Sequence, residues 1–184
     1  MQTPFDNTLD ELIKAAPSCN GLAVALSGGV DSMVLLQLVH NYANRAKLPL
    51  CAVHIHHGLS ANADAWLTFA QQQCTRQNIT LFSRKVTLSS AKRKGVEAKA
   101  REARYRAIDE LTPKGHAILL GQHQDDQVET FFLRLKRGAG VKGLGAMKAL
   151  SVWHQRVLFR PLLTFSRAQL ELWANDHGVE HIHD

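Results

Sequence analysis

The six residues from Ser27 to Ser32, Ser-Gly-Gly-Val-Asp-Ser, have the types and spacing best suited to chemistry in this chain. They follow a short apolar run and lead directly into a helical pattern. Gly28 and Gly29 permit a tight turn, and the helix behind them offers unpaired N–H groups and the positive end of its dipole to an anion. The turn therefore predicts a phosphate site, with a nucleoside triphosphate bound by Ser27, Gly28, Gly29, Val30, Asp31 and Ser32.

Asp31 places a carboxylate inside this turn, where it would repel a bare phosphate. A magnesium ion between the carboxylate and the phosphates removes this conflict, so Asp31 is the candidate metal ligand. The segment is not a Walker turn, because no Gly-Lys-Ser/Thr string with the required glycine spacing occurs in the chain. The alternative interpretation is a Gly-Gly turn between a strand and a helix that carries its serines by chance.

The composition favours a single domain spanning residues 1–184, with 45% apolar residues. No segment approaches the length of a membrane span, and the segment 1–17 contains acids and no continuous apolar stretch. Cys19, Cys51 and Cys74 lie in or beside apolar runs, which predicts buried, reduced thiols. We therefore expect a cytoplasmic protein that does not bind a membrane.

Basic residues cluster in the segments 84–106 and 134–148, and the net charge is +6. The first segment contains nine lysines and arginines against two acids, and the second contains no acid. Such clustering suits a polyanion such as a nucleic acid. A solvated helix face is the alternative interpretation for any single lysine.

Apolar patterning predicts strands that alternate with helices. Strands are expected at 22–26, 49–55, 80–86, 117–120 and 157–159, and helices at 9–16, 32–46, 62–77, 95–111, 125–136 and 166–177. This alternation indicates an α/β fold, a doubly wound parallel five-stranded sheet of order 3-2-1-4-5 with helices on both faces. In the helix 125–136, Val128, Phe132 and Leu135 are expected to pack into the core.

Polar residues follow two of the predicted strands, the second and the fourth. His54, His56 and His57 lie at the end of the second strand, and Gly121 and His123 follow the fourth. Because ligands bind beyond the carboxyl ends of the strands in an open parallel sheet, we expect these residues to contact the nucleotide or magnesium-bound water. A zinc site is the alternative, but His57 faces the opposite side of the sheet from His54 and His56.

Two carboxylates follow the fourth strand at helical spacing. Asp126 and Glu129 are three residues apart in the first turn of a helix, so they share one face and could hold a cation. Asp125 is the expected N-cap. In the preceding helix, Arg101 and Arg104 belong to a charged stripe, which indicates contact with phosphate or substrate, or else an ion-paired surface.

Several strings together resemble the tRNA(Ile)-lysidine synthetase family. They are Ser27-Gly-Gly-Val-Asp-Ser32, His56-His-Gly-Leu-Ser60 with Asn62-Ala-Asp-Ala-Trp66, Gly95-Val-Glu-Ala-Lys-Ala-Arg-Glu-Ala-Arg-Tyr105, His123-Gln-Asp-Asp-Gln-Val-Glu-Thr130, Lys136-Arg-Gly-Ala-Gly140 and Arg160-Pro-Leu-Leu163. The first string is similar to the PP-loop of the N-type ATP pyrophosphatases, and the next three distinguish this branch. The resemblance covers nearly the whole chain and implies an adenine-nucleotide α-hydrolase-like fold.

That family activates the wobble cytidine of tRNA(Ile) with a CAU anticodon as an adenylate and joins L-lysine to it, which forms lysidine. The resemblance implies ATP and Mg²⁺ as cofactors, and tRNA(Ile) and lysine as partners. It also implies a catalytic set of Asp31, Arg101, Arg104, Asp126 and Glu129, in which the last two recognise lysine and the arginines contact phosphate or the reacting base. Family members carry further tRNA-binding domains, so the chain resembles the N-terminal catalytic domain alone.

Two other functions remain as alternatives. A tRNA thiolase of the same superfamily would use the same adenylation, but it normally needs extra cysteines for sulfur delivery. A nonenzymatic nucleotide sensor or basic RNA-binding module would keep the turn without turnover. For assembly, a homodimer is compatible with the sequence.

Overall fold

The computed structural model describes residues 1–56, 62–86, 96–136, 138 and 145–182 and, within 96–101, the backbone alone. Helices and strands alternate along this part of the chain. The helices are α1 (Gln2–Lys14), α2 (Val30–Ala46), α3 (Ala63–Arg76), α4 (Val96–Leu111), α5 (Gln124–Lys136) and α6 (Arg167–Asp176). The strands are β1 (Gly21–Ala25), β2 (Leu50–His56), β3 (Thr80–Lys85), β4 (His116–Leu119), β5 (Leu150–Trp153) and β6 (Arg156–Phe159).

The strands form one sheet of order β3-β2-β1-β4-β6-β5. All neighbouring pairs are parallel except β5 and β6, which form an antiparallel hairpin. The predicted order of the five parallel strands is confirmed, because β6 is the fifth predicted strand and lies next to β4. The expected strand count of five is wrong for the described chain, which has six.

The missed strand, β5, gives a weak sequence signal for a physical reason. It is four residues long, lies at the sheet edge and has no fully buried residue, so it lacks the apolar run that marks the central strands. His154 makes the reversal to β6 with a φ of +54°, a conformation that a histidine adopts more readily than a β-branched residue. The sheet is therefore mixed at one edge, where an antiparallel strand is common in doubly wound folds.

Helices cover both faces of the sheet, as predicted. The larger core packs α1, α2 and α6 against one face, with Phe5, Leu35 and Leu170 fully buried. On the other face, Ala107 and Ile108 of α4 pack against the central strands. Burial on both faces explains why these strands read as continuous apolar runs rather than as alternating patterns.

Helix α1 begins earlier than predicted, at Gln2 rather than at Leu9. Phe5, Leu9 and Leu12 recur at helical spacing and are buried. Pro4 obscured this start, but a proline in the first turn costs no intrahelical hydrogen bond. The N-terminal segment therefore belongs to the core rather than to a loop.

Helix α5 corrects another expectation. Val128, Phe132 and Leu135 were expected in the core, yet they are 51%, 61% and 51% exposed, and the helix has no buried residue. Phe131 and Leu133 are exposed as well. Helical periodicity identifies an apolar face but does not specify what covers it. Within the described residues, no helix combines the length and apolarity needed to cross a bilayer.

The strand order reverses between β1 and β4. At this position the end of β4 meets the start of α2. A Cβ at Gly121, just after β4, would lie 3.3 Å from the backbone of Asp31 and Ser32 in the first turn of α2. This contact is tighter than most side chains tolerate, so glycine permits the close approach. The fold therefore brings the end of β4 against the N-terminus of α2, at the crevice where doubly wound sheets bind ligands.

Candidate nucleotide site

The Ser27–Ser32 turn is organised by the hydroxyl of Ser32. Its Oγ accepts hydrogen bonds from the backbone N–H groups of Ser27 (3.2 Å) and Gly28 (3.1 Å) and donates to the carbonyl of Gly29 (3.0 Å). The Ser27 hydroxyl lies 3.0 Å from the same oxygen. The Gly29 N–H donates to the Ser27 hydroxyl at 3.4 Å. Both serines therefore hold the shape of the turn, and they accept the N–H groups of Gly28 and Gly29, which were assigned to the ligand from the sequence.

The remaining amides of this turn belong to the start of α2. The N–H of Met33 donates to the carbonyl of Gly29 and makes the first hydrogen bond of the helix. The N–H groups of Val30, Asp31 and Ser32 therefore have no acceptor within the helix. These N–H groups and the helix dipole are arranged to bind an anion. Gly28 has a φ of +100°, whereas Gly29 is extended at φ −70°, so only the first glycine is required by backbone conformation.

A cavity of about 560 Å³ opens beside this turn. Its apolar wall comes from β1, β2, α3 and α4, and its polar wall comes from the turn and the residues after β4. The lining residues include Ala25, Val53, Ile55, Trp66, Tyr105 and Ile108 on the first wall, and Ser27, Gly29, Asp31, Ser32, Gly121 and Gln122 on the second. An apolar compartment next to an anion site fits a nucleotide, whose base and phosphates need these two environments.

The predicted histidines have different environments. His54 is buried and its Nδ1 lies 2.8 Å from the carbonyl of Leu26, which ties β2 to the end of β1, and burial lowers the pKa of His54. His56 is buried with Nε2 2.9 Å from the Asp64 carboxylate, while its Nδ1 has no partner in the described structure. Both line the cavity. His57 lies outside the described residues.

Asp31, His123 and Asp126 form one cluster at the end of β4. The Nε2 atom of His123 lies 3.6 Å from a carboxylate oxygen of each aspartate. Burial raises the pKa of Asp31, and the neighbouring His123 and Arg167 oppose that shift. The Asp126 carboxylate accepts the backbone N–H of His123 at 2.8 Å, so it caps its own helix.

Asp125 was expected to be this cap, and that expectation is wrong. Its carboxylate instead accepts the backbone N–H of Arg167 at 2.7 Å, at the start of α6. This hydrogen bond lowers the pKa of Asp125. The two helix starts are therefore joined, which no pattern within α5 alone could indicate.

Arg167 is a site residue that sequence reasoning missed. Its guanidinium donates to Asp31 at 3.1 Å and to Glu171 at 2.9 Å, and it is half exposed. The sequence signal for it was Ser166, which caps the start of α6. Because α6 begins at the same edge of the sheet as α2, the residues that follow this cap lie near the Ser27–Ser32 turn. The arginine therefore places a cation beside the expected phosphate site.

The other predicted site residues are spread more widely. Arg104 lines the cavity. Arg101 lies one turn earlier on the described backbone of α4, and its side chain is outside the described set. Glu129 is exposed and is not among the residues that line the cavity. The structure thus joins Asp31 and Asp126 closely, and it leaves Glu129 on the outer face of α5.

The residues around Asp31 fit a magnesium ion. The Oδ1 atom of Asp31 is buried and has no hydrogen-bond partner in the described structure, which leaves an oxygen suited to a hard cation. Among the described residues, no group of three or more metal-ligating side chains is arranged to hold an ion. Magnesium commonly uses one or two carboxylates together with phosphate oxygens and water, so one orphan carboxylate oxygen is compatible with it.

A family model described as a PP-loop domain matches residues 1–184. The chain belongs to this PP-loop family. This family uses ATP, which agrees with the anion site and the adjoining apolar compartment. We call the Ser27–Ser32 turn the PP-loop below.

Curated relatives include tRNA(Ile)-lysidine synthases. One from Actinobacillus pleuropneumoniae is 46% identical over 168 residues, which covers 91% of this chain and 39% of the relative. One from Vibrio vulnificus is 47% identical over 180 residues and covers 98% of this chain and 41% of the relative. The chain therefore spans about two fifths of the length of these relatives.

Solved structures confirm the fold. A U34-tRNA thiolase, NcsA from Methanococcus maripaludis with its [4Fe-4S] cluster, aligns with a TM-score of 0.70 and 18% identity, over 97% of this chain and 64% of that one. An NH3-dependent NAD synthetase from Campylobacter jejuni aligns with a TM-score of 0.62 and 15% identity, over 97% and 73% of the two chains. At such identities these likenesses establish the architecture alone.

Proposed function

We propose that residues 1–184 are the catalytic domain of a cytoplasmic tRNA(Ile)-lysidine synthetase, which uses ATP to join lysine to the wobble cytidine of a tRNA with a CAU anticodon. One observation carries the proposal: the PP-loop opens into a cavity that has an apolar wall and a buried carboxylate oxygen, Oδ1 of Asp31, without a hydrogen-bond partner in the described structure. The curated relatives that share 46–47% identity with this chain support the choice of substrate.

The first step is adenylation. The cytosine carbonyl oxygen attacks the α phosphorus of ATP, the bond to the bridging oxygen breaks, and pyrophosphate leaves. In this step the free N–H groups at the start of α2 stabilise negative charge on the phosphates. Asp31 would hold Mg²⁺, which neutralises charge on the triphosphate, and Arg104 would contact phosphate or the reacting base, with Arg101 in the same role.

The second step replaces AMP with lysine. An amine of lysine attacks the activated carbon, the bond to the AMP oxygen breaks, and the amine loses a proton. A free amine with a pKa near 10.4 costs roughly 4 to 5 kcal/mol to deprotonate at neutral pH. We assign Asp126 and Glu129 to lysine recognition, because carboxylates attract the ammonium groups of lysine, and one of the two can accept the proton that the attacking amine loses.

The site geometry supports a set of nucleotide contacts. We assign Ser27, Gly28, Gly29, Val30 and Ser32 to phosphate binding, with the serines acting through the shape of the turn. A second group lines or adjoins the cavity and is assigned to the nucleotide or to metal-bound water: His54, His56, His57, Gly121 and His123. His56 is the strongest of these, because its buried Nδ1 lacks a partner in the described structure.

The deciding experiment is mass analysis of a tRNA(Ile) transcript after incubation with the protein, ATP, magnesium and L-lysine. We expect a mass increase corresponding to one lysine minus one water, together with pyrophosphate release that requires the tRNA. Stable ATP binding without pyrophosphate release would contradict this proposal and would favour the nucleotide sensor. The full-length protein is the control, because the chain spans only two fifths of its relatives.

A thiolase is less well supported. Cys51 and Cys74 are buried free thiols, and burial raises the pKa of each to about 11. A thiol of this kind is almost entirely protonated at neutral pH and is a poor nucleophile. Cys19 was expected to be buried but is half-buried, and its thiol donates to the carbonyl of Gly21 at 3.2 Å, at the opposite end of β1 from the PP-loop.

For assembly, we propose a homodimer that pairs through α5. The support is its row of exposed apolar residues, Val128, Phe131, Phe132, Leu133 and Leu135. Contiguous apolar surface of this kind is uncommon on a soluble monomer and marks an interaction surface.

A further inference from the structure

Arg160 is a buried cation that the proposed mechanism does not use. It follows β6 and is 9% exposed. Its guanidinium donates to Gln122 (2.5 Å), the Ser151 hydroxyl (2.7 Å) and the Lys148 carbonyl (3.0 Å). All three acceptors are neutral, and no ion pair joins Arg160 to an acid among the described residues. Since a buried charge is normally paired, this cation is available to an anion nearby.

The contact with Gln122 fixes the orientation of its amide. A guanidinium carries only donors, so the atom of Gln122 that faces Arg160 must be the carbonyl oxygen Oε1. The Nε2 group, with two N–H donors, then lies on the other side of the amide. It has no hydrogen-bond partner among the described residues, and Gln122 lines the cavity.

The position of Gln122 places this amide beside the PP-loop. The preceding residue, Gly121, is the one that packs within 3.3 Å of the Asp31 and Ser32 backbone. The Gln122 backbone therefore lies at the crevice where the strand order reverses, and Gln122 lines the same cavity as the PP-loop. An amide polarised by a buried guanidinium is a stronger donor than a free one.

We propose that Gln122 donates a hydrogen bond from Nε2 to a phosphate oxygen of the bound nucleotide, and that Arg160 is the positioning residue that holds its amide in this orientation. The proposal rests on the nucleotide site of the proposed function. It assigns a binding role to a residue that no motif in the chain marked as functional.

The test uses Gln122→Glu, which keeps an oxygen for Arg160 and replaces the donor with a second oxygen. The probe is the Mg²⁺ complex of α,β-methylene ATP, titrated by calorimetry, and adenosine is the probe without phosphates. We expect Gln122→Glu to weaken the analogue at least tenfold, to leave adenosine affinity unchanged and not to lower the melting temperature, because the new carboxylate pairs with Arg160. Gln124→Glu is the matched control, because it adds the same charge two residues away at an exposed position and should change affinity less than twofold.

The role of Arg160 is tested by a double-mutant cycle. Arg160→Lys keeps the charge but loses the planar fork, so we expect a several-fold loss of analogue affinity. If Arg160 acts through Gln122, the lysine substitution adds little in the Gln122→Glu background. Additive losses would contradict the positioning role.

Other outcomes separate the two proposals. Unchanged analogue affinity in Gln122→Glu, or an equal loss of adenosine affinity, would overturn the contact with phosphate while leaving the proposed function in place. A wild-type protein that binds no nucleotide would overturn both.

Discussion

Asp31 has surroundings that favour its neutral form, although its proposed role needs the charged one. Burial raises its pKa, and the cations nearby do not fully reverse the shift. The folded protein therefore holds this proton more tightly than the unfolded chain does. The contribution of Asp31 to stability is greatest at low pH and is lost as the pH rises through its folded-state pKa.

This shift predicts the effect of Asp31→Asn on stability. At pH 7 we expect the variant to unfold at a higher temperature than the wild type, because it removes a carboxylate that the fold disfavours in its charged form. The difference should shrink as the pH falls toward 4, where the wild-type carboxyl gains its proton. Thermal unfolding followed by circular dichroism across this range measures it, and a lower melting temperature at pH 7 would contradict the assignment of the shift.

The same residue gives a prediction for activity. Asp31→Ala should abolish tRNA-dependent pyrophosphate release, because the ion that neutralises the triphosphate loses its carboxylate ligand. Equal release by the wild type and the variant would refute the assignment. Measuring release with radiolabelled ATP distinguishes a lost chemical step from weak binding when the ATP concentration is varied.

Glu129→Gln separates the two steps of the reaction. Glu129 does not line the cavity, so adenylation should proceed at the wild-type rate. Transfer of lysine should slow, because the neutral amide of the variant attracts the lysine ammonium group less than the Glu129 carboxylate does. Pyrophosphate release and lysidine formation, measured on the same samples, report the two steps, and a parallel decline of both would place Glu129 at the nucleotide.

Single residues were predictable only where the backbone dictated their role. Gly28 has a positive φ, and the Ser-Gly-Gly string indicated the tight turn that requires it. His54 and His56 looked equivalent in the sequence, yet one binds a backbone carbonyl and the other a carboxylate. Such partners come from distant segments, so local spacing could not distinguish them.

At the scale of elements, α6 shows how a local cap serves a distant site. Ser166 accepts the N–H of Gln169, and the Gln169 side chain accepts the N–H of Ser166, which completes a capping box. The next residue, Arg167, reaches Asp31. The predicted helix 166–177 begins at this cap, because the signal for it lies within four residues.

Ser166→Ala should therefore destabilise the fold by about 1 kcal/mol, the usual cost of losing such a cap. Denaturant unfolding measures this change. Ser166→Asp is the control, because aspartate is an equally good cap and should preserve most of the stability. Equal losses in both variants would show that the hydroxyl matters for another reason.

Helix α5 carries the prediction for assembly. If its apolar face forms the dimer interface, Phe132→Glu should shift the protein to monomer, because it would bury a charge at the contact. Light scattering after size exclusion measures the mass. Leu172→Glu is the matched control, since Leu172 is an equally exposed apolar residue on α6. A wild-type chain that stays monomeric at high concentration would contradict the homodimer.

At the scale of the whole molecule, the order of the central strands could be predicted because two general rules fix it. Crossovers between parallel strands are right-handed, and strands buried on both faces read as apolar runs. The edge strand β5 could not be predicted in this way, since none of its residues is fully buried. The same limit explains α5, whose covering surface is not encoded within its own residues.

Nucleotide binding should stabilise the whole molecule. At a concentration one hundred times the dissociation constant, a ligand that binds only the folded state adds about 2.7 kcal/mol. We expect Mg²⁺–ATP to raise the melting temperature, and Asp31→Ala to reduce this increase. Differential scanning fluorimetry measures both, and an increase of the same size in the two proteins would place the nucleotide away from Asp31.

The PP-loop is also fastened from the far end of the described chain. The N–H of Ile182 donates to the carbonyl of Gly28 at 2.9 Å, and Glu180 binds Gln73 and Arg76 of α3. Tension applied beyond Ile182 would be transmitted to Gly28 without passing through the sheet. Cleavage by a protease between Val179 and Ile182 would leave every strand intact and still release the loop, so proteolytic nicking would silence nucleotide binding before it unfolds the protein.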